Sequence, residues 1–205
     1  MELQGERVRI RPWRQADDDT ADEWPPYNDP LNGIWNLPRP FSTSSFGWPP
    51  FSEGAMRQSW AVDERYSRVL MGRISLRDID SQRRQARLGI TLGAPFVSRG
   101  LGTEALVLFL GYYFTDLSGG FHTMVLDVAA PNLRAVRCYE RLGFRYVGSD
   151  WREAGALIDR RLLDTPGYAD LARHFRRNHR GIWVEFFEMR LAREEWFARR
   201  PVRQY

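Results

Sequence analysis

The stretch PNLRAVRCYERLGF, residues 131–144, decides the fold because it carries the start, the periodicity and the stop of a short helix. Asn132 is a natural N-cap and Gly143 is a natural C-terminal stop. Ala135 and Tyr139 follow Asn132 at offsets of three and seven, so these side chains share one side of the helix. An amide, a small residue and a phenol in this arrangement indicate a helix that binds a cofactor.

The hydrophobic pattern around this helix predicts a sheet with further helices. Three apolar stretches between residues 59 and 92 predict an antiparallel meander, and strand-helix-strand units follow it, which is the α+β pattern with a mixed sheet. The predicted strands cover residues 6–13, 59–63, 69–79, 86–92, 123–129, 144–151 and 181–191. Two more helices are predicted at residues 16–24 and 102–115.

Two segments interrupt this pattern. Residues 25–51 are rich in Pro, Asn, Gly, Ser and aromatic residues, which predicts a long ordered loop. This loop could line an acceptor site, pack in a dimer interface or cover the core, and its aromatic part is compatible with a homodimer. Residues 156–180 form a charged insertion, in which Thr165-Pro166 and apolar residues at helical spacing predict a short amphipathic helix.

A second motif, VSRGLGTEA at residues 97–105, leaves a predicted strand, passes two glycines and enters a predicted helix. Glycines permit positive φ, so backbone N–H groups can converge on a ligand, and a helix N-terminus adds unsatisfied N–H groups and a partial positive charge. This pattern alone is also typical of an ordinary turn. Its position one strand before PNLRAVRCYERLGF favours a turn that binds phosphate.

The two motifs together resemble the signatures of the GNAT superfamily of acyl-CoA-dependent N-acetyltransferases. Residues 132–144 are similar to the second signature, and Gly100 and Gly102 fall on the glycines of the first, Gln/Arg-x-x-Gly-x-Gly/Ala. Val97 stands where the family usually has Gln or Arg, but that position contributes largely through its backbone N–H. The opening, LQGERVRIRPWRQADDD at 3–19, and the ending, MRLAREEW, further resemble the RimJ/RimL-like branch of ribosomal-protein N-terminal acetyltransferases.

This resemblance implies the fold and the co-substrate. The expected fold is a single GNAT-like domain over residues 1–205, a three-layer α/β/α arrangement whose central sheet is mixed, mostly antiparallel and made of about seven strands. The expected co-substrate is acetyl-CoA, and no metal is expected. The residues implied to bind acetyl-CoA are Ile90, Leu92, Val97, Ser98, Arg99, Gly100, Leu101, Gly102, Thr103, Asn132 and Tyr139.

The same resemblance implies the roles of several groups. A distorted strand around residues 90–92 would offer a backbone N–H to the thioester carbonyl, Asn132 would help to hold the pantetheine arm, and Tyr139 is the candidate general acid. Tyr139 could instead be a core aromatic residue with a hydrogen-bonded hydroxyl. Arg99 is available to pair with a phosphate group of the cofactor.

The general base is not evident, because Arg87 stands where many relatives have Glu. Asp127 and Glu153 are substitutes that could act through water, and each is also interpretable as an ordinary structural or surface carboxylate. Many relatives simply bind the neutral fraction of the amine. We therefore assign no base.

The expected function is transfer of an acetyl group from acetyl-CoA to a primary amine by direct attack in a ternary complex. A protein N-terminus is favoured by the RimJ/RimL resemblance, and a polyamine, an amino acid or an antibiotic amine remains open. The arginine-rich insertion favours an acidic acceptor over a cationic polyamine, although a solvated charged face explains it equally well. The alternative is a non-catalytic acyl-CoA sensor or regulatory module.

The composition excludes several other classes. The chain has 205 residues without a lysine, so its 30 basic residues are all arginine and Schiff-base chemistry is excluded. The 26 acidic residues are interspersed with these arginines and the net charge is only +4, which disfavours nucleic-acid binding. Cys138 is the single cysteine, so neither an internal disulfide nor a cysteine-rich metal site is available. An N-terminus without an apolar core and a chain without a long apolar run predict a cytoplasmic protein.

Overall fold

The computed structural model describes residues 1–39, 57–179 and 181–199, and in these ranges nine strands form one open sheet. The spatial order is β1-β2-β3-β4-β5-β6-β9-β7, and β8 pairs with β9 beside this path. The strands are β1 (Leu3–Gln4), β2 (Val8–Pro12), β3 (Gln58–Glu64), β4 (Leu70–Asp80), β5 (Gln85–Leu92), β6 (Thr123–Ala129), β7 (Arg145–Glu153), β8 (Phe175–Asn178) and β9 (Gly181–Ala192). The sequence predicted about seven strands, and the two additions, β1 and β8, are too short to show an alternating pattern.

One pair of strands distinguishes this sheet. Neighbours run antiparallel except β5 and β6, which pair in parallel through residues 85–88 and 123–126. Within the described residues this ladder goes no further, although both strands continue. On their outer sides they stay paired, β5 with β4 up to Leu92 and β6 with β9 up to Ala129. A V-shaped gap therefore opens between residues 89–92 and 127–129.

Four α-helices of the described ranges cover the sheet: α1 (Ala16–Asp22), α2 (Leu101–Thr115), α3 (Leu133–Leu142) and α4 (Arg193–Arg199). α2 and α3 lie on the face that carries Leu88 and Leu126, where they close the main hydrophobic core. α4, which the sequence did not predict, joins this layer through Trp196, whose ring lies 6.2 Å from that of Phe114. α1 lies on the opposite face, where its Asp18 is 3.4 Å from Arg73 of β4. The result is the expected layered α/β/α arrangement.

None of the helices in the described ranges combines the length and the apolar content that crossing a membrane requires.

A second hydrophobic core lies under the two segments that interrupt the sequence pattern. Leu31, Ile34 and Leu37 pack with Phe186 of β9 on the face away from α2 and α3, and residues of the 156–180 insertion complete this cluster. The segment 25–39 is therefore an ordered loop that covers the sheet. The remainder of the predicted loop, residues 40–51, lies outside the described residues.

The prediction of an amphipathic helix in the insertion was wrong. The chain there forms three short 3₁₀ segments, Gly155–Leu157, Arg160–Asp164 and Ala169–His174, and then the edge strand β8. Phe175, which was assigned to the helical face, begins this strand and pairs with Val184. Pairing with β9 satisfies backbone groups that a short, isolated helix would expose to solvent, so tertiary contact overrides the local pattern.

The main core gives a direct test of the fold. Phe109 of α2 is fully buried and its ring lies 4.9 Å from that of Trp60, so Phe109→Ala leaves a cavity between helix and sheet. We expect this change to lower the free energy of unfolding by about 3–5 kcal/mol, measured by denaturant titration. The control is Tyr66→Ala at a side chain that is 76% exposed, where a change within about 0.5 kcal/mol is expected. Equal losses in the two variants would contradict the packing described here.

Candidate active site

A cavity of about 330 Å³ occupies the gap between β5 and β6. Its wall is formed by the ends of β5 and β6 on the two sides of the gap, by the start of α2, by one side of α3 and by the loop before residue 40. The lining residues are Tyr27, Asn32, Trp35, Asn36, Arg77, Leu88, Gly89, Ile90, Thr91, Leu92, Val97, Ser98, Gly100, Gly102, Thr103, Leu106, Asp127, Val128, Asn132, Arg134, Ala135, Cys138, Tyr139 and Arg141. Both sequence motifs therefore contribute to one cavity.

Backbone groups of β5 face this cavity. The N–H of Gly93 donates to the carbonyl of Met71 on β4, at 2.9 Å, so the odd-numbered residues of β5 direct their backbone groups to β4. The even-numbered residues Ile90 and Leu92 consequently direct theirs to the gap. The hydroxyl of Tyr27 donates a short hydrogen bond to the carbonyl of Leu92. The N–H groups of Ile90 and Leu92 are then the donors that this edge offers to a ligand carbonyl.

The turn before α2 is built as a set of converging N–H donors. Ser98 and Gly100 both have positive φ, 60° and 79°, and Gly100 is the N-cap of the helix. The first helical bond runs from Glu104 N to Gly100 O, which leaves the N–H groups of residues 101–103 without a helical acceptor. Such donors at the positive end of a helix dipole suit a pyrophosphate, so this turn fits the phosphate end of CoA.

Close packing fixes this turn beside the strand. A Cβ on Gly102 would lie 2.8 Å from a methyl carbon of Leu92, so the residue is small where helix and strand meet. Glu104 accepts hydrogen bonds from the backbone N–H groups of Arg7 and Val8 and pairs with the Arg7 guanidinium at 2.9 Å. These contacts attach the start of α2 to the start of β2 and hold it beside the gap.

The α3 motif presents its predicted face to the cavity. The side-chain oxygen of Asn132 accepts from Ala135 N at 3.2 Å, which confirms the N-cap and leaves the amide nitrogen of Asn132 for a ligand. Tyr139 lines the cavity, and its ring meets Phe144 edge-on at 5.8 Å. Burial raises the pKa of the Tyr139 phenol well above its ordinary value, so the group keeps its proton at neutral pH. No described residue hydrogen-bonds to this hydroxyl.

Two predicted cofactor residues have side chains outside the cavity lining. Arg99 is exposed and donates only weakly to the carbonyl of Pro95, at 3.5 Å. Leu101 is 6% exposed and packs in the main core. Leu101 can contribute through its backbone N–H alone, and an approach of Arg99 to a phosphate requires a change of its side-chain rotamer.

The candidate bases occupy different environments. Asp127 is almost fully buried and lies among four guanidinium groups, those of Arg39, Arg77, Arg87 and Arg152. Burial alone would raise the pKa of Asp127, but these cations hold it below its ordinary value. A carboxylate with a low pKa and both oxygens paired is a poor proton acceptor, so Asp127 is a structural anion. Glu153 is exposed at the end of β7 and does not line the cavity.

Arg87 is the centre of this ionic cluster and takes no part in proton abstraction. Its side chain is 1% exposed and donates to Asp78 at 3.1 Å, to Asp127 at 2.5 Å and to Glu188 at 3.2 Å. Arg152 donates to Asp150 and to the carbonyl of Leu37, which ties the loop before residue 40 to the sheet. Buried charges of both signs thus compensate each other behind the cavity.

Arg77 is the member of the cluster that faces the cavity. Its side chain is 44% exposed, and its nearest carboxylate oxygen, on Asp127, is 3.8 Å away. No hydrogen bond joins its guanidinium to a described residue. The surrounding protein removes water from this group and lowers its pKa, and Asp127 opposes that effect only in part. Arg77 is therefore a cation with spare donors.

Sequence reasoning allowed the loop at residues 25–51 to line an acceptor site, but it picked out no residue of this loop, nor Arg77, as a site residue. Trp35 and Tyr27 meet edge-on at 5.5 Å, and Arg134 stacks over Trp35 at 5.4 Å. The aromatic composition of the loop was the one available signal for them. No sequence pattern indicated that Arg77 lies in the cavity wall. Its place there depends on the register between β4 and β5, which puts Arg77 opposite Arg87.

Comparison with known proteins gives the family. The profile of the acetyltransferase (GNAT) domain matches residues 7–145, about two thirds of the chain. The chain belongs to the GNAT acetyltransferase family. This GNAT protein is therefore an acetyl-CoA-dependent N-acetyltransferase. No curated protein matches the sequence.

Solved structures show the same fold at low identity. A spermidine N-acetyltransferase from Vibrio cholerae, crystallised with CoA and spermine, has a TM-score of 0.62 and 17% identity, over 94% of this chain and 99% of that one. A dodecameric structure of spermidine N-acetyltransferase from Vibrio cholerae has a TM-score of 0.61 and 18% identity, over 96% of this chain and 99% of that one. At such identities the likeness concerns the fold.

The glycine turn can be tested by binding. Gly100→Val places a β-branched residue at a positive φ, which moves the N–H groups of residues 101–103. Loss of one hydrogen bond to a charged phosphate costs about 1.5–3 kcal/mol, so we expect acetyl-CoA affinity to fall about 10- to 100-fold in calorimetric titration. Gly111→Val on the same helix is the control, because a Cβ there meets no atom within 4 Å. Unchanged affinity in Gly100→Val would place the phosphate elsewhere.

The ionic cluster gives a prediction for the pH dependence of stability. Because the folded pKa of Asp127 is lowered, its ionised form stabilises the fold above its ordinary value of 3.8, and this contribution is lost as the pH falls through the lower folded value. Asp127→Asn lacks this contribution. We expect the difference in unfolding free energy between the two proteins to shrink from about pH 5 downwards. The exposed control Asp22→Asn should follow the parent protein, and a constant difference for Asp127→Asn would contradict the cluster.

Proposed function

We propose that the protein transfers an acetyl group from acetyl-CoA to a primary amine by direct attack in a ternary complex, with Tyr139 as the general acid. The observation that carries this proposal is a protonated phenol, free of hydrogen bonds to described residues, in the wall of the cavity that also holds the glycine turn. An acid for the departing thiolate must be protonated at neutral pH, as a phenol is at its ordinary pKa near 10, and burial raises the pKa of Tyr139 further.

The residues of the cavity suggest how acetyl-CoA is held. The N–H groups after Gly100 would bind the pyrophosphate, and the side-chain amide of Asn132 would bind the pantetheine arm. The N–H of Ile90 or Leu92 would donate to the thioester carbonyl oxygen and stabilise the charge that develops there. Acetyl-CoA supplies an acyl group activated as a thioester. The protein supplies position and hydrogen-bond donors, and Tyr139 would pass a proton to the departing thiolate and recover one from the amine nitrogen that has attacked the carbonyl.

The cavity lacks a carboxylate that could deprotonate the amine. Of the described lining residues, Asp127 alone is acidic, and its oxygens are paired with arginines. The proposal is therefore that the protein binds the neutral fraction of the amine, with the proton lost to solvent before binding. Turnover should then rise with pH until the amine is largely deprotonated.

Two kinds of acceptor are compatible with this mechanism. The resemblance of residues 3–19 and 189–196 to the RimJ/RimL-like branch supports a protein N-terminus. The likeness in fold to spermidine N-acetyltransferases supports a small amine instead. An acyl-CoA sensor without turnover would bind acetyl-CoA but transfer nothing.

Tyr139→Phe tests the proposed acid. Removal of one hydroxyl should lower kcat roughly 10²- to 10⁴-fold, because the leaving thiolate loses its proton donor. The dissociation constant of acetyl-CoA should change by no more than about twofold, since the ring still packs against Phe144. Kinetics with an amine panel and calorimetry with acetyl-CoA give the two quantities.

Tyr112→Phe on α2 is the matched control, because Tyr112 lies outside the cavity lining and should keep full turnover. An unchanged kcat in Tyr139→Phe would remove this residue from the mechanism. Binding of acetyl-CoA without transfer to any amine, in the parent protein, would favour the sensor.

A further inference from the structure

We propose that the acceptor amine carries a carboxylate in the same molecule, and that Arg77 binds this carboxylate and thereby selects the acceptor. The inference rests on the proposed function and names the substrate class of that site. It starts from the charges in the cavity wall. The described lining residues include one acidic side chain, Asp127, and three basic ones, Arg77, Arg134 and Arg141.

The basic residues lie on different sides of the sheet. Arg134 and Arg141 belong to α3, on the face that carries Leu88 and Leu126, and the guanidinium of Arg134 stacks over Trp35. Arg77 pairs in register with Arg87, and side chains alternate along a strand, so Arg77 lies on the opposite face from Leu76 and Leu88. It therefore lies on the face away from α2 and α3, which we assign to the acceptor.

Arg77 also stands at the point where the gap opens. The parallel ladder ends at Leu88 and Leu126, and Asp127, 3.8 Å from Arg77, is the first residue of β6 beyond it. The N–H donors proposed for the thioester carbonyl, on Ile90 and Leu92, follow on the other strand. An acceptor bound by Arg77 would thus have its amine near the reacting carbonyl.

The neutralisation of Asp127 makes the site unsuitable for a polycation. Arg87 and Arg152 lie 2.5 Å and 3.2 Å from the two Asp127 oxygens, and Arg39 lies 3.7 Å away. An ammonium group near Asp127 would have to displace these contacts or lie beside Arg77. Like charges in a site of low dielectric repel, so the cluster opposes a polyamine.

The same wall offers donors to an anion. The guanidinium of Arg77 has no hydrogen bond to a described residue and presents the forked geometry that a carboxylate matches. The indole N–H of Trp35, which lies in the described loop over this face, is buried and has no acceptor among the described residues. A buried donor without an acceptor is costly, so a ligand carboxylate that reached the Trp35 N–H would remove that cost while it paired with the exposed Arg77 guanidinium.

The experiment compares acceptors that differ only in charge. One set contains an amino acid, its carboxamide, its decarboxylated amine and spermidine. The other set contains C-terminally amidated peptides whose second residue is Asp or Asn, which distinguishes a free amino acid from an acidic protein N-terminus. We expect the carboxylate member of one set to have a kcat/KM about 10- to 100-fold above its amide, as for a hydrogen bond to a charged group.

Three variants identify the source of this preference. Arg77→Gln should abolish the ratio between acid and amide, because it removes the charge that distinguishes the two acceptors. Arg77→Lys should keep part of the ratio, since it retains the charge without the fork. Arg83→Gln, an equal change of charge at a 56% exposed side chain on the same hairpin, should keep all of it.

The outcomes separate this inference from the proposed function. Preference for spermidine, an acid no better than its amide, or an unchanged ratio in Arg77→Gln would overturn the carboxylate inference while transfer itself stood. Should Arg77→Gln fail to fold, the inference is tested by the ratio of kcat/KM between acid and amide in Arg77→Lys and by competition with spermidine in the parent protein. An unchanged ratio in Arg77→Lys, or strong competition by spermidine, would overturn it. If no acceptor turns over, calorimetry of the acid and the amide in the presence of CoA measures the preference without catalysis. In that case the lack of turnover overturns the proposed function, and binding of the acid that depends on Arg77 still supports the carboxylate inference.

Discussion

The cavity between β5 and β6 exists because three strand pairings cannot all continue to the ends of these strands. β5 follows β4 through the whole of residues 87–92, and β6 follows β9 through the whole of residues 123–129. Each of these antiparallel ladders fixes the direction of its strand, and the parallel ladder between β5 and β6 holds only for four residues of each. Because the outer pairs are long and the inner pair is short, the strands separate where the inner pair is weakest. The backbone N–H groups of β5 that have no partner on β6 there are the donors that we propose for the thioester carbonyl.

The charges behind the gap follow from this separation. Where β5 and β6 are joined, their backbones satisfy each other, but at the end of the ladder side chains must connect the strands. Arg87 of β5, Asp127 of β6 and Glu188 of β9 form this connection across three strands at 3.2 Å or less. A buried ionic network of this kind is a weak source of net stability, but breaking one member is costly. We infer that the network mainly fixes the geometry of the gap, because its net contribution to stability is small even though the loss of one member destabilises the fold.

The sequence predicted the parts of the molecule that are encoded locally. The helix after Asn132 is capped as expected, the strand at residues 123–129 has the predicted bounds, and the glycine turn carries the positive φ that its composition required. The 156–180 helix failed because its apolar spacing is satisfied by the second core and by pairing with β9. Arg77 and Asp127 could not be predicted as neighbours, since 50 positions and the crossing through α2 separate them in the chain. Only the register of the sheet brings them together.

The balance of guanidinium and carboxylate groups around Asp127 determines the charge beside the gap. Four guanidinium groups lie around Asp127, and the opposing carboxylates are Asp78, Asp150 and Glu188 as well as Asp127 itself. Arg39, Arg87 and Arg152 each contact at least two of these carboxylates, whereas Arg77 contacts only Asp127 and from a greater distance. A guanidinium keeps its charge even when water is withdrawn, so this imbalance persists at any pH at which the fold is stable. The charge of a site is set by a few side chains and not by the sheet that carries them. A fold that spermidine N-acetyltransferases also have can therefore carry an unneutralised cation beside the gap here, as the proposed acceptor site requires.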